Sequence, residues 1–132
     1  MITLDTSGVV ALLNARDPDH EAAKSALERA GRPYIVPTGI LSELAYLIEA
    51  RMPNVLDGFL ADLESGAFSQ DCGDEATTRV RQLVDRYLDL RLGYADAAVI
   101  ACAERNGGLV LTFDRRDFGV VAREGTIHIA PD

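Results

Sequence analysis

The chain has little cysteine, little basic charge and no long apolar run among its 132 residues. Its two cysteines, Cys72 and Cys102, have no partner at metal-ligand spacing, so no zinc motif is present. Cys102 sits in the apolar run Ala97–Ala103, where a buried free thiol is expected. No basic segment followed by an apolar stretch opens the sequence, and no apolar run approaches the roughly 20 residues of a membrane span. The expectation is a soluble, cytoplasmic protein in a reducing compartment, with no membrane partner. Repeats, low-complexity tracts and linker-like composition shifts are also missing, which predicts one domain over residues 1–132.

Basic residues number 13 against 21 acidic ones, for a net charge of −8. A protein that coats duplex nucleic acid by neutralising phosphates would usually be basic, so that role is disfavoured. An enzyme that reaches nucleic acid through bound cations is not excluded, because local and global charge differ. Hydrophobic residues make up 48%, which argues against disorder.

Short apolar strands are expected at Ile2–Leu4, Tyr34–Val36 and Leu109–Thr112, with further ones at Gly66–Ser69 and Thr126–Ile129. Helices are expected at Thr6–Leu13, from Asp19 as cap to about Ala30, from Thr38 to Arg51, after Pro53, from Glu75 to about Leu90, and from Tyr94 to about Arg105. This alternation predicts a short parallel sheet covered on both faces, a three-layer α/β/α domain.

In such a fold the C-terminal ends of strands and the N-terminal ends of helices share one edge of the sheet, where ligands usually bind. Asp5 ends the first strand, Asp114 follows the fourth apolar strand, Asp96 starts the apolar helix, and Glu43 lies near the start of the helix after Tyr34–Val36. All four carboxylates should face that edge. Each also has a plainer reading. Asp5 and Asp96 suit helix caps, Asp114 a turn, and Glu43 a solvated helix margin. Taken together they repel unless protonated, paired with arginine, or bound to a hard divalent cation such as Mg²⁺ or Mn²⁺. A cation with free positions supports phosphodiester hydrolysis.

The segments Ile2-Thr3-Leu4-Asp5-Thr6-Ser7, Ser42-Glu43-Leu44, Tyr94-Ala95-Asp96 through Glu104, and Leu111-Thr112-Phe113-Asp114-Arg115-Arg116-Asp117-Phe118 resemble the PIN-domain nucleases. The likeness is strongest to the VapC-type toxins of toxin–antitoxin pairs. It spans Ile2 to about Ile129, and the four motifs stand in the family's order. The resemblance implies that Asp5, Glu43, Asp96 and Asp114 form a catalytic quartet binding Mg²⁺ or Mn²⁺. It implies that Thr6 supports the first Asp, that Thr112 has a lesser supporting role, and that Asp117 is a further acid joining or supporting the metal site. The implied activity is that of an endoribonuclease acting on RNA, with a cognate antitoxin protein as inhibitor and a homodimer as the unit.

Arg115 and Arg116 suit either pairing with nearby acids or contact with RNA phosphates. Two rival readings remain. One is a phosphatase in which Asp5 attacks phosphorus, disfavoured because Thr6-Ser7 follows with no acid two residues on. The other is a non-catalytic binding module of the same fold.

Overall fold

A computed structural model describes residues 1–132. Five strands, β1 (Ile2–Leu4), β2 (Tyr34–Pro37), β3 (Ser69–Asp71), β4 (Leu109–Leu111) and β5 (His128–Ala130), form one sheet in the order β3-β2-β1-β4-β5. All four pairings are parallel, with Thr3 of β1 opposite Ile35 on one side and Val110 on the other. Seven α-helices connect them: α1 (Thr6–Leu13), α2 (His20–Ala30), α3 (Leu41–Arg51), α4 (Leu56–Ser65), α5 (Thr77–Arg86), α6 (Tyr94–Arg105) and α7 (Arg115–Ala122). Right-handed crossovers put α1–α4 on one face and α5–α7 on the other. The chain moves outward from β1 to β3 and then returns to β4 beside β1. The strand order therefore reverses between β1 and β4, and a cleft opens there beyond their C-terminal ends.

The central strands are short and, but for the buried Thr3, apolar because both faces are covered: Ile2, Leu4, Val110 and Leu111 are all inaccessible to solvent. Helix α6 carries no charge between Asp96 and Glu104. Ala97 and Val99 through Ala103 are buried, and the helix packs on β1, β2 and β4. Helix α1 is drawn equally close. A Cβ placed on Gly8 would lie 2.6 Å from the Leu111 carbonyl oxygen, so only glycine allows that approach. This contact fixes the start of α1 against the end of β4. No helix is long and apolar enough to cross a membrane.

Several boundaries differ from those the sequence predicts. The third strand runs Ser69–Asp71 rather than Gly66–Ser69. Gly66 at φ 84° instead closes α4, and Phe68 turns inward against Phe59 with ring centroids 5.8 Å apart. The last strand is His128–Ala130, two residues beyond the expected start. Thr38–Ile40 form a 3₁₀ turn before α3, and Leu88–Leu90 form another after α5. Helix α5 begins at Thr77, not Glu75. Asp19 precedes α2 without a side-chain capping bond; Asp17 shapes that turn by accepting from the Asp19 amide at 2.8 Å. Helix α7 was not expected at all.

Candidate metal centre at the switch point

Asp5 takes the first position beyond β1 and caps α1. Its Oδ1 accepts from the Gly8 amide and the Ser7 hydroxyl, both at 2.8 Å, and its Oδ2 accepts from the Thr112 hydroxyl at 2.6 Å. The plain and the chemical readings of Asp5 thus hold together, since it is a helix cap built into the cleft. Ser7 also accepts from the Phe113 amide at 2.9 Å, and the Thr112 hydroxyl accepts from the Asp114 amide at 3.0 Å. The two hydroxyls fasten the end of β1 to the end of β4. Thr6 lines the cleft, but the hydroxyl bonded to Asp5 from that side is that of Ser7. The reason is local: the second residue of α1 turns back over its cap, whereas the first does not.

Glu43, Asp96 and Asp117 are each the third residue of a helix, in α3, α6 and α7 respectively. The first turn of a helix offers unpaired N–H groups and the positive end of its dipole, which favours an anion there. Asp114 sits at the N-cap position of α7 and makes no side-chain capping bond. One carboxylate oxygen from each of Asp96, Asp114 and Asp117 lies within 4.8 Å of the other two. Asp5 and Glu43 line the same cleft, a cavity of about 360 Å³ that also touches Asp17, Asp19 and Arg51. The tightest group is therefore a triplet that includes Asp117.

The electrostatics are those of crowded, uncompensated acids. Asp5, Asp96 and Asp114 take part in no ion pair. Burial, followed by the charges of Asp114, Asp5, Asp117 and Glu43, pushes the Asp96 carboxyl up to about 6. Burial also raises Asp5, against the lowering effect of its bonds from Thr112, Gly8 and Ser7. The Oδ1 of Asp117 is sealed from solvent without a hydrogen-bond partner. The Arg116 guanidinium stands 3.9 Å from it, beyond hydrogen-bond reach, and is 87% exposed. Arg115 turns away from the cleft, donating to the Pro131 carbonyl.

The donor set is all oxygen, with no cysteine or histidine in it. A buried carboxylate oxygen without a partner is costly unless something cationic satisfies it. These residues fit a hard divalent cation such as Mg²⁺ or Mn²⁺ and do not suit zinc.

The profile of the PIN domain matches residues 2–124. The chain belongs to the PIN-domain family. Ribonuclease VapC26 of Mycobacterium tuberculosis (strain ATCC 25618 / H37Rv) is 32% identical over 123 residues, covering 89% of this chain and 90% of that protein. Among solved structures, Mycobacterium tuberculosis VapC20, a sarcin-ricin loop cleaving toxin, superposes with a TM-score of 0.76 at 23% identity. That match covers 92% of this chain and 95% of the other. VapBC2 from Rickettsia felis, bound to a DNA fragment from its promoter, gives a TM-score of 0.68 at 16% identity, covering 98% and 97%. At these identities the two structures attest the PIN fold.

Other expectations meet the structure directly. Cys102 is a buried free thiol, pushed up to about 11 chiefly by burial, and so unreactive. Sequence reasoning missed Ser7, Asp17, Asp19 and Arg51 as cleft residues. Ser7 carried a signal, because a hydroxyl two residues after an N-cap Asp can bond back to it. Arg51 carried none, since only the packing of α3 beside α1 brings its far end to the cleft.

Proposed function

We propose that this chain is a metal-dependent endoribonuclease toxin of the VapC type, formed by a single PIN domain over residues 1–132. The observation that carries this is the convergence of Asp96, Asp114 and Asp117 beside Asp5 at the switch point, with no arginine or lysine within hydrogen-bond reach, in a chain 32% identical to a ribonuclease along most of its length.

Asp5, Asp96, Asp114 and Glu43 would hold Mg²⁺ or Mn²⁺, with Asp117 supporting or joining them. When bound, such a cation polarises a phosphate oxygen, lowers the pKa of a water and stabilises the leaving oxygen. The protein's own share is positional. Ser7, Thr112 and the Gly8 amide fix both oxygens of Asp5, so that this carboxylate is oriented before any ligand arrives. Thr112 couples the orientation of Asp5 to the backbone at Asp114. Glu43, exposed on α3 and outside the close triplet of Asp96, Asp114 and Asp117, would be the acid left to orient an attacking water or help position a second cation. Thr6 shapes the wall of the cleft beside Asp5. Arg116, projecting at the rim and held only by a long 3.9 Å contact with Asp117, is placed to meet RNA phosphate; Arg115 is committed to Pro131 and is the weaker candidate.

The likeness to VapBC2 supports a cognate antitoxin partner, and exposed Tyr46, Leu60, Leu88 and Tyr94 offer apolar surface for a homodimer. A cytoplasmic location accords with an RNA target. The decisive experiment is cleavage of purified total RNA with Mn²⁺, with EDTA, and by Asp96→Asn. Cleavage that persists equally in all three would overturn the reading and favour a non-catalytic module.

A further inference from the structure

The acid-lined cleft has one basic residue on its wall. Arg51, the last residue of α3, borders the cavity that holds Asp5, Asp96 and Asp114, and it forms no ion pair despite the acids around it. Arg51 also lines a second, adjoining hollow of about 640 Å³. The two share Val10, Asp17 and Arg51, so they are successive parts of one groove running from the acids along α1. Val10, Leu13 and Met52 supply apolar surface to the second part, and Arg16 and Asn54 supply polar groups. Arg16 is likewise exposed and unpaired.

The electrostatic problem is plain. A polyanion must enter a cleft lined by Asp5, Asp17, Asp19, Glu43, Asp96 and Asp114, on a protein of net charge −8. A cation held by the acids neutralises only the phosphate it touches. The flanking phosphates need their own counter-charge, and guanidinium groups bind phosphate well through paired N–H donors. Most other arginines near an acid are already spent: Arg79 on Glu104, Arg86 on Glu124 and Arg105 on Asp71. Asp17, on the shared wall, opposes phosphate, but its Oδ1 is engaged by the Asp19 amide. The volume is within the roughly 300–1,000 Å³ of small-ligand pockets, enough for a nucleotide-sized group.

We propose that Arg51 is a positioning residue that binds the phosphate next to the scissile one, and that the Val10–Leu13–Met52 hollow with Arg16 takes the adjoining single-stranded RNA. This rests on the ribonuclease reading above. The groove sets which side of the cleaved bond is gripped, and its apolar floor accepts a base face. The bland alternative for Arg51 is a charge favouring the C-terminus of α3, which would affect stability rather than RNA.

The test compares wild type, Arg51→Ala, Arg51→Lys and Arg16→Ala, with Arg32→Ala as control, since Arg32 is exposed and precedes β2 at the opposite edge of the sheet. Initial rates are measured with total bacterial RNA and Mn²⁺ over a range of RNA and KCl concentrations. Arg51→Ala should lower kcat/KM about tenfold through KM, the size expected for one charged phosphate contact. It should also reduce the slope of log kcat/KM against log salt by about 0.7, the share of one phosphate on a single strand. Arg51→Lys should keep the slope and lose part of the affinity, and Arg16→Ala should give a smaller KM effect in the same direction. Mn²⁺ binding by calorimetry and melting temperature should not fall. Wild-type kinetics in Arg51→Ala would overturn the assignment, as would an unchanged salt slope with a lowered melting temperature, or a loss confined to kcat with weaker Mn²⁺ binding. Failure of the wild type to cleave RNA would instead overturn the ribonuclease reading, and this inference with it.

Discussion

Two groups of acids in this protein are the same chemical type in opposite circumstances. Along a seam that runs from β3 past α6 and α5 to the end of α7, Asp71, Glu104 and Glu124 each meet an arginine at 2.7–2.8 Å, and hydrogen bonds from Asn106 and Arg105 at Asp71, from Arg79 at Glu104 and from Arg86 at Glu124 hold each carboxyl below its ordinary range. At the switch point, Asp5 and Asp96 are raised above theirs, chiefly by burial, and no arginine meets them. The seam is self-satisfied and needs nothing more. The cleft stores repulsion that a bound cation would relieve. Counting acids does not separate the two groups, but asking what each acid is bonded to does.

The comparison breaks first at Asp96. Asp96→Asn keeps the shape and removes one charge. Cleavage of RNA should fall at least about a hundredfold, about 2.7 kcal/mol of barrier. The metal-free protein should melt no lower than wild type, because a buried like-charge contact is gone. Asp5→Asn should lose as much activity but behave differently in stability. Three donors, from Ser7, Gly8 and Thr112, converge on its two oxygens. An amide must point its NH₂ at one of them, leaving a buried donor without an acceptor, which costs about 1–3 kcal/mol. Differential scanning calorimetry of the two metal-free variants decides this. Equal melting temperatures would show that Asp5 is not fixed as described.

This difference marks how far the sequence was legible. The strands Ile2–Leu4 and Leu109–Leu111, apolar but for Thr3, and the helix Tyr94–Arg105, uncharged between Asp96 and Glu104, stood out because burial on both sides leaves little room for polar residues. The edge strands did not, since Ser69-Gln70-Asp71 is polar and exposed in part, and its pattern says nothing of register. Helix α7 was missed because Arg115-Arg116-Asp117 opens it without an apolar period, Gly119 interrupts it, and only Phe118 and Val121 are buried. That miss hid the equivalence of Glu43, Asp96 and Asp117, which only appears once all three are seen as third residues of helices. The acids of the cleft were readable because strand ends and helix starts converge in any parallel sheet. Ser7 and Arg51 depend on side-chain direction and on helix packing, which the sequence pattern does not encode.

A pH series sharpens the comparison next, with a smaller effect. Asp96 titrates at about 6 in the folded protein against an ordinary 3.8. The folded state therefore holds the extra proton between these values. The associated stability is full below about 4 and is lost as pH rises through 6. Asp5, raised in the same direction, adds to the trend. The paired acids act oppositely, since Asp71, Glu104 and Glu124 contribute above their ordinary values of 3.8 and 4.5 and lose that contribution only as pH falls below them. Metal-free wild type should accordingly melt higher at pH 5 than at pH 7. Asp96→Asn should flatten that difference, and saturating Mn²⁺ should reverse it by binding the ionised folded form. A wild type that melts higher at pH 7 without metal would contradict crowding at the cleft.

The smallest effects belong to the seam, and they should grade with exposure. Asp71 accepts from Arg105 at 2.8 Å, from Asn106 at 2.8 Å and from the Gly73 amide at 2.9 Å, tying β3 to the end of α6. Asp71→Ala removes all three bonds at a half-buried position and should cost about 1 kcal/mol. Arg86 and Glu124 form a two-pronged pair just as short, but their side chains are 60% and 40% exposed. Water solvates both ions almost as well apart as together, and ordering two long side chains offsets what the pair gains. Arg86→Ala should leave the melting temperature near that of wild type. Neither variant should change RNA cleavage, because neither arginine nor acid reaches the cleft. Both outcomes are read from one melting series and one cleavage assay. If Arg86→Ala destabilised the protein more than Asp71→Ala, short distance rather than burial would rank these ion pairs, and the contrast between a satisfied seam and a strained cleft would have to be drawn on geometry alone.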